Sequence, residues 1–264
     1  MSSPTSTTPP PHDGRVVLVT GGTKGIGRVI CERYLEAGAE VVTCGRTEPD
    51  TPPSHAGKAA EFVATDVRDA DAVDQLINGI VERHGRLDVV VNNAGGSPDV
   101  AAADASPRFS EAIIRLNLLA PLLVATRANA QMQGQDDGGV ILNIASVSAI
   151  RPSPGTAAYG AAKAGVLSLT SSLAVEWAPK VRVAAVTCGL IETEQSELHY
   201  GDASGLAAVA ATVPLGRMGA PADVADACLF LSSPAASYVS GTSLLLHGGG
   251  ERPAFLGAAA AHRS

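Results

Sequence analysis

Residues 15–27 read RVVLVTGGTKGIG. The run RVVLV is short, apolar and rich in valine, the pattern of a strand buried on both faces. It passes directly into a turn carrying Thr20, Gly21, Gly25 and Gly27, and a helical pattern through Cys31 and Leu35 follows, stopping at Ala37-Gly38. Glycines let a backbone turn tightly and approach an anion, and a helix N-terminus offers unpaired amides with a partial positive charge. Strand, glycine turn and helix in this order make a phosphate site. A glycine-rich turn with no ligand has the same local signature, so the rest of the chain has to decide.

Outward from that unit the pattern repeats. AEVVTC (39–44) is a second strand ending in Gly45-Arg46, EFVATDV (61–67) a short one ending at Asp66, and LDVVVNNAG (87–95) a buried one. VILNIAS (140–146), VRVAAVTCGL (181–190) and SYVSGTSLLLHGGG (237–250) supply the later strands, with helical segments between them. The stretch FSEAIIRLNLLAPLLVATRANAQMQ (109–133) is expected as one long helix, apolar round much of its circumference, so that a subunit interface would cover part of it. APADVADACLFLSS (220–233) is a helix with Pro in its first turn. Alternating strands and helices predict one doubly wound α/β domain with a parallel sheet of about seven strands and helices on both faces.

A chain of 264 residues suits one such domain, and 45% hydrophobic with only 3% aromatic residues predicts an aliphatic core. The net charge of −7 with no Lys/Arg cluster argues against nucleic acid and anionic membranes, leaving a small molecule as the expected partner. Cys31, Cys44, Cys188 and Cys228 are widely spaced, with no CxxC pair, and suggest neither zinc nor disulfides. Residues 1–13 are polar and Pro-rich and are expected as a disordered tail, 14–252 as the catalytic domain and 253–264 as a C-terminal tail. No secretory signal and no run of 18 apolar residues is evident, so the expected location is the cytoplasm.

The chemistry is expected in residues 146–163, SVSAIRPSPGTAAYGAAK. Ser146 ends the VILNIAS strand, the loop RPSPG follows, and Tyr159 and Lys163 are four apart on one face of an Ala-rich helix. A phenol with a pKa near ~10 is a poor base at neutral pH, and a neighbouring ammonium lowers that pKa. Ser146 could hydrogen-bond a substrate oxygen while Tyr159 gives or takes its proton. A surface Tyr and Lys on an ordinary helix is the alternative for YxxxK taken alone.

From about Arg15 to Gly250 the chain resembles the short-chain dehydrogenase/reductase family: TGxxxGxG at 20–27, NNAG at Asn92 to Gly95, Asn117 in RLNLLA, Ser146, and YxxxK at Tyr159 and Lys163, all in the family's order. The resemblance implies a Rossmann-like fold and an oxidoreductase that moves a hydride between a nicotinamide dinucleotide and a secondary alcohol/ketone pair. It makes Tyr159 the acid/base, Lys163 its partner and ribose ligand, Ser146 the donor to the substrate oxygen, and Asn117 the holder of a relay water. It places the dinucleotide on Gly21, Thr23, Lys24, Gly25, Ile26, Gly27, Arg46, Asp66, Val67, Asn93, Ala94, Gly95, Tyr159, Lys163, Gly189, Ile191 and Thr193. Asn92 is read as structural, tying neighbouring strands, and an ordinary helix cap is the other reading of Asp66.

An acid at the end of the second strand would bind the adenosine ribose, but this chain has Gly45 and Arg46 there, with Lys24 nearby, so NADP(H) is expected over NAD(H). Cys188 stands where relatives carry proline; it is read as a packing residue, with a catalytic thiol as the alternative. Residues 192–215 are read as a lid whose small apolar half favours a bulky apolar substrate. The expected substrates are 3-oxoacyl thioesters, as in lipid metabolism, or a steroid- or terpenoid-derived ring ketone or alcohol. A catalytically silent dinucleotide sensor is the reading from another class. The expected assembly is a homodimer or homotetramer.

Overall fold

In the computed structural model, which describes residues 12–255, the apolar run becomes β1 (Val16–Thr20), buried along its whole length. A strand with no polar face needs cover on both sides, and helices between successive strands supply it. β2 (Glu40–Gly45), β3 (Glu61–Ala64), β4 (Val89–Asn92), β5 (Gly139–Ser146), β6 (Val181–Cys188) and β7 (Ser243–Leu246) join β1. All pair in parallel in the order β3-β2-β1-β4-β5-β6-β7, which is the expected seven-stranded doubly wound sheet. The order reverses between β1 and β4, so a crevice opens at the carboxyl ends of those strands, and the glycine turn sits on it. A two-residue antiparallel pair, Ser54–His55 with Lys58–Ala59, lies outside the sheet.

Successive residues of β1 serve opposite layers. Val17 and Val19 pack with Ile30 and Tyr34 of α1 (Gly25–Glu36) and with Val224 and Leu231 of α8 (Pro221–Ser232). Leu18 packs on the other face with Val73 and Ile77 of α2 (Ala70–His84), Val124 and Met132 of α4 (Ala120–Met132), and Leu173 of α5 (Ala157–Glu176). Burying a valine or leucine side chain is worth about 1.5–3 kcal/mol, so the two aliphatic layers hold the strand ends in place. The β5–β6 register runs from Gly139 opposite Val181 to Ser146 opposite Cys188, so those two residues end side by side.

Two expectations change. The helix expected over 109–133 is interrupted: α3 (Pro107–Ile114) leads into a π-helical turn, Arg115–Leu119, before α4. Its physical signature is Asn117, whose side-chain amide donates to the Ile113 carbonyl at 3.0 Å. The tail expected over 1–13 also reaches too far. Residues 1–11 lie outside the described residues, but His12 is fully buried, stacked edge-on to Tyr34 at 5.2 Å, with its amide bonded to the Ala37 carbonyl. The expected tail 253–264 lies outside the described residues beyond 255.

The segment Pro107–Met132 has a mean hydropathy of 1.4 over its most apolar window, enough by length and composition to cross a membrane. In the fold, however, Val124, Ala125, Ala128 and Met132 bury against the sheet. The segment expected as a lid, 192–215, contains α6 (Glu197–Tyr200) and α7 (Ala203–Thr212).

Candidate active site

The turn after β1 is built around absent side chains. A Cβ on Gly22 would meet Thr43 Oγ1 at 2.3 Å, and one on Gly27 would meet Asn93 Nδ2 at 2.4 Å. Gly21 and Gly25 have φ of 66° and 53°, a region other residues rarely adopt. Lys24 occupies the N-cap of α1 without a side-chain cap bond, so the first amides of the helix are left for other partners, and Glu194 takes that of Gly25. Thr20 and Asn93 lock the turn to β4: Thr20 Oγ1 accepts from the amides of Asn93 and Ala94, and Asn93 Nδ2 donates to the carbonyls of Thr20 and Gly21.

A cleft of about 790 Å³ runs from this turn across the sheet's carboxyl edge. Every residue expected to hold the dinucleotide lines it: Gly21, Thr23, Lys24, Gly25, Ile26, Gly27, Arg46, Asp66, Val67, Asn93, Ala94, Gly95, Tyr159, Lys163, Gly189, Ile191 and Thr193. Ser146 lines it too. Asn117 sits just behind, fully buried, with Oδ1 accepting from the Gly96 amide at 2.8 Å and Nδ2 donating to the Gly96 carbonyl at 2.9 Å. An elongated crevice walled by glycines, with the N-terminus of α1 at one end and a proton-transfer set at the other, fits a nicotinamide dinucleotide.

At the proton-transfer end, β5 delivers Ser146 and α5 delivers Tyr159 and Lys163. Lys163 is buried, donates to the Ile144 carbonyl at 2.8 Å and lies 5.6 Å from the centroid of the Tyr159 ring. Burial pulls the Lys163 ammonium down to about 8. Burial also pushes the Tyr159 phenol above its ordinary value, and a hydrogen bond with Ser146 opposes that rise. The direction for Tyr159 is therefore the reverse of the lowering expected from Lys163: burial sets it, and the opposing contact is Ser146. Ser146 Oγ accepts from the Ser148 amide at 3.2 Å, which orients the hydroxyl at the start of the loop.

Cys188 ends β6 beside this group. Burial pushes its thiol up to about 12 even with Lys163 nearby, and Sγ points at the Val186 carbonyl, so it is an inert packing residue here. Gly189 is required by a close approach, since a Cβ would meet His247 Cα at 2.8 Å. Asn92 ties strands as expected: Nδ2 donates to Asn143 Oδ1 on β5 at 3.0 Å, and Asn143 donates in turn to Thr170.

At the adenosine end, Asp66 is held bidentately by Arg68, which brings its carboxyl down to about 2. The helix cap read as an alternative for Asp66 belongs instead to Asp69, which accepts from the amides of Asp71 and Ala72. Arg46 and Lys24 are exposed, and among the described residues neither has a carboxylate within salt-bridge distance.

Several contacts escape a linear reading. Glu194 accepts from the Gly25 amide at 2.9 Å, joining the lid to the start of α1. Arg151 pairs with Glu251 at 2.9 Å beside a smaller cavity that adjoins the cleft at Gly189. Both pairings are distant in sequence; only Arg151's place five residues after Ser146 hinted that it borders the site.

Comparisons with known proteins agree with this geometry. The family model described as enoyl-(acyl carrier protein) reductase matches residues 21–251. The chain is 36% identical over 247 residues to 3β-hydroxysteroid dehydrogenase 1 of Eggerthella lenta, covering 89% of this chain and 93% of that one. It is 34% identical to a 3-oxoacyl-[acyl-carrier-protein] reductase of Vibrio harveyi, covering 90% and 97%. Among solved structures, the ligand-free aldohexose dehydrogenase of Thermoplasma acidophilum superposes with a TM-score of 0.83 at 32% identity, over 90% of this chain and 94% of that one.

Proposed function

The chain belongs to the short-chain dehydrogenase/reductase family and is a nicotinamide-dinucleotide-dependent oxidoreductase; from that premise we propose that it interconverts a secondary alcohol and a ketone on an apolar substrate, with NADP(H) as the preferred cofactor. The observation that carries this reading is the meeting of Ser146, Tyr159 and Lys163 in the same cleft as the glycine turn.

The bound dinucleotide supplies the hydride. The rest of the chemistry falls to the chain. Tyr159, kept protonated by burial, donates its proton to the substrate oxygen in the reductive direction. Ser146 orients that oxygen with a hydrogen bond. Lys163 holds the ribose and, as an ammonium below about pH 8, stabilises the phenolate that forms. Asn117, anchored at both the amide and the carbonyl of Gly96, keeps the π-turn in the shape that positions a relay water.

NADP(H) is favoured because Lys24 and Arg46 line the cleft as exposed cations suited to a ribose phosphate, while Asp66, which lines the same cleft, is already satisfied by Arg68. An apolar substrate body is supported by Ile150 and Leu215, which are exposed and line two smaller cavities that adjoin the cleft at Gly189 and Ile191. A 3-oxoacyl thioester fits this description. The second reading, a ring hydroxyl or ketone of a steroid, rests on the likeness to the Eggerthella lenta enzyme. The silent-sensor reading has no support in the intact Ser146, Tyr159 and Lys163.

Assembly into a dimer or tetramer would cover Leu119 and Val175, exposed at 51% and 81% on the π-turn and α5. Four buried free thiols suit a reducing, cytoplasmic setting. The decisive experiment titrates the protein with NADPH and NADH by fluorescence, then follows oxidation of the preferred one with a panel of ketones and 3-oxoacyl thioesters, for wild type and Tyr159→Phe. The expected result is tighter NADPH binding, turnover by wild type, and a loss of about 10²–10⁴-fold in Tyr159→Phe with cofactor binding kept. Turnover by neither protein, with binding intact in both, would overturn the enzymatic reading.

A further inference from the structure

The cleft has a charged rim that the hydride chemistry does not use. Beyond Ser146 the chain turns through Val147 and Ile150 to Arg151, while the segment after β7 brings Glu251 back to meet it. A smaller cavity of about 190 Å³ lies between them, walled by Val147, Ile150, Leu190 and Val213, with Arg151 and Glu251 among its lining. This cavity shares Gly189 with the dinucleotide cleft, so it opens beside the reacting end. Its inner wall is aliphatic and its outer wall carries a guanidinium.

That guanidinium is under-used. Glu251 takes one of its nitrogens, Nη2, at 2.9 Å, and Nη1 reaches the Pro152 carbonyl only at 3.4 Å. The arginine fork has five N–H donors and is built to grip a carboxylate or phosphate bidentately, a geometry that Glu251 does not complete. Both side chains of the pair are partly exposed, at 39% and 35%, so an incoming group can reach them from solvent. Tyr200 of α6 lines the adjoining dinucleotide cleft. An apolar slot that adjoins the dinucleotide cleft at Gly189 and carries an incompletely paired arginine suits a substrate with an apolar body and an anionic end.

We infer that Arg151 is a specificity-determining residue that receives an anionic group, carboxylate or phosphate, at the end of the substrate remote from its carbonyl, with Glu251 as the resting partner displaced when that group arrives. This rests on the oxidoreductase reading of the cleft. Glu251 holds the fork in place before substrate binds and, as a like charge, competes with the substrate's anion. The two residues therefore act with opposite sign. Removing the arginine weakens anionic substrates; removing the charge on its partner strengthens them.

The test uses the full chain with its preferred dinucleotide and two matched pairs: 6-oxoheptanoate against its methyl ester, and 3-oxohexanoyl-CoA against the neutral 3-oxohexanoyl N-acetylcysteamine thioester. The first pair probes a carboxylate, the second a phosphate-bearing carrier. For Arg151→Gln, kcat/KM for the anionic member of one pair should fall about ten- to a hundredfold, mostly through KM, as expected for a lost charge-assisted hydrogen bond. The neutral member should stay within about twofold. Glu251→Gln should raise kcat/KM for the same anion a few-fold, an outcome that a misfolded variant cannot mimic. Equal losses on anionic and neutral members in Arg151→Gln, or no change on any, would overturn the inference while leaving the oxidoreductase reading intact. If wild type turns over none of the four, nor any other carbonyl compound, the oxidoreductase reading itself fails and this inference with it.

Discussion

Lys163 Nζ is held by the Ile144 carbonyl at 2.8 Å and stands 5.6 Å from the ring centroid of Tyr159, so one β5 carbonyl fixes where the site's only buried ammonium meets its phenol among the described residues. Burial draws Lys163 down to about 8 and pushes Tyr159 up, which separates the two groups' roles by pH. Below about pH 8 the lysine is charged and the phenol protonated, the arrangement a reduction needs. As pH rises through that value the ammonium is lost, and the phenolate left after proton transfer loses its counter-charge. The kcat/KM for the dinucleotide, which reports ionisations of the free enzyme, should fall on the alkaline side of about pH 8 in the reductive direction. A profile with no alkaline limb near that value would show that Lys163 is not the group that titrates.

Asn117 carries a structural and a chemical load at once. Its side chain satisfies both the amide and the carbonyl of Gly96 and also bonds the carbonyl of Ile113 in the last turn of α3. Asn117→Leu removes all three bonds without changing the bulk much. A buried amide left unpaired costs about 1–3 kcal/mol. Denaturant unfolding should show a loss of that order, and the loop carrying Gly95 and Gly96 should lose its shape against the cleft. Turnover should fall by more than the stability loss explains under conditions where the variant is fully folded; an active variant with wild-type kcat would remove Asn117 from the proton path.

Why so much of this was legible in the chain itself is a matter of range. The RVVLV run followed by TGGTKGIG states a local rule, a buried strand feeding a turn that only glycine can make, and the clash distances at Gly22 and Gly27 are that rule in coordinates. Tyr159 and Lys163 are one helical turn apart, so periodicity alone brings them together. What stayed hidden depends on partners far away in the chain. The π-turn is set by Asn117 reaching Gly96 across 21 positions, not by its own helical propensity. Asp66 and Asp69 are equally good caps on paper, and only Arg68 decides between them by claiming the first. His12 was read with the polar segment before it because its partners, Leu229 and Ser232, lie 217 and 220 residues away. Tyr159's upward shift comes from its depth of burial, which the sequence does not show beside the charged neighbour it does.

Arg46 and Lys24 make a prediction about cofactor choice. Both are exposed at the adenosine end of the cleft, and Gly45 puts no carboxylate at the end of β2. Arg46→Asp should replace a phosphate ligand with a group that repels a 2′-phosphate and accepts from ribose hydroxyls. NADPH affinity should drop about ten- to a hundredfold, the size of one or two charge-assisted hydrogen bonds, while NADH affinity holds or improves. Fluorescence titration of both cofactors against both proteins measures this. An unchanged NADPH-to-NADH ratio would place the discrimination elsewhere.

His12 offers a stability test at the opposite end of the sheet. Its pKa is lowered first by burial and then by Arg15, against a smaller opposing effect from its bond to the Leu229 carbonyl. The folded protein therefore keeps this imidazole neutral at pH values where the unfolded chain, with a pKa near ~6.5, already binds a proton. Stability from this group is complete above the unfolded pKa. It is lost as pH falls below it and stops changing once pH is under the depressed folded value. His12→Phe keeps the edge-on ring contact with Tyr34 but cannot titrate. Urea midpoints measured for both proteins from neutral pH down into the acidic range should keep a constant difference above about pH 6.5 and then shift against the wild type, which loses more stability than the variant below that value. Parallel curves would mean that His12 titrates in the folded state as it does in the unfolded chain, and that its burial exacts no proton-linked cost.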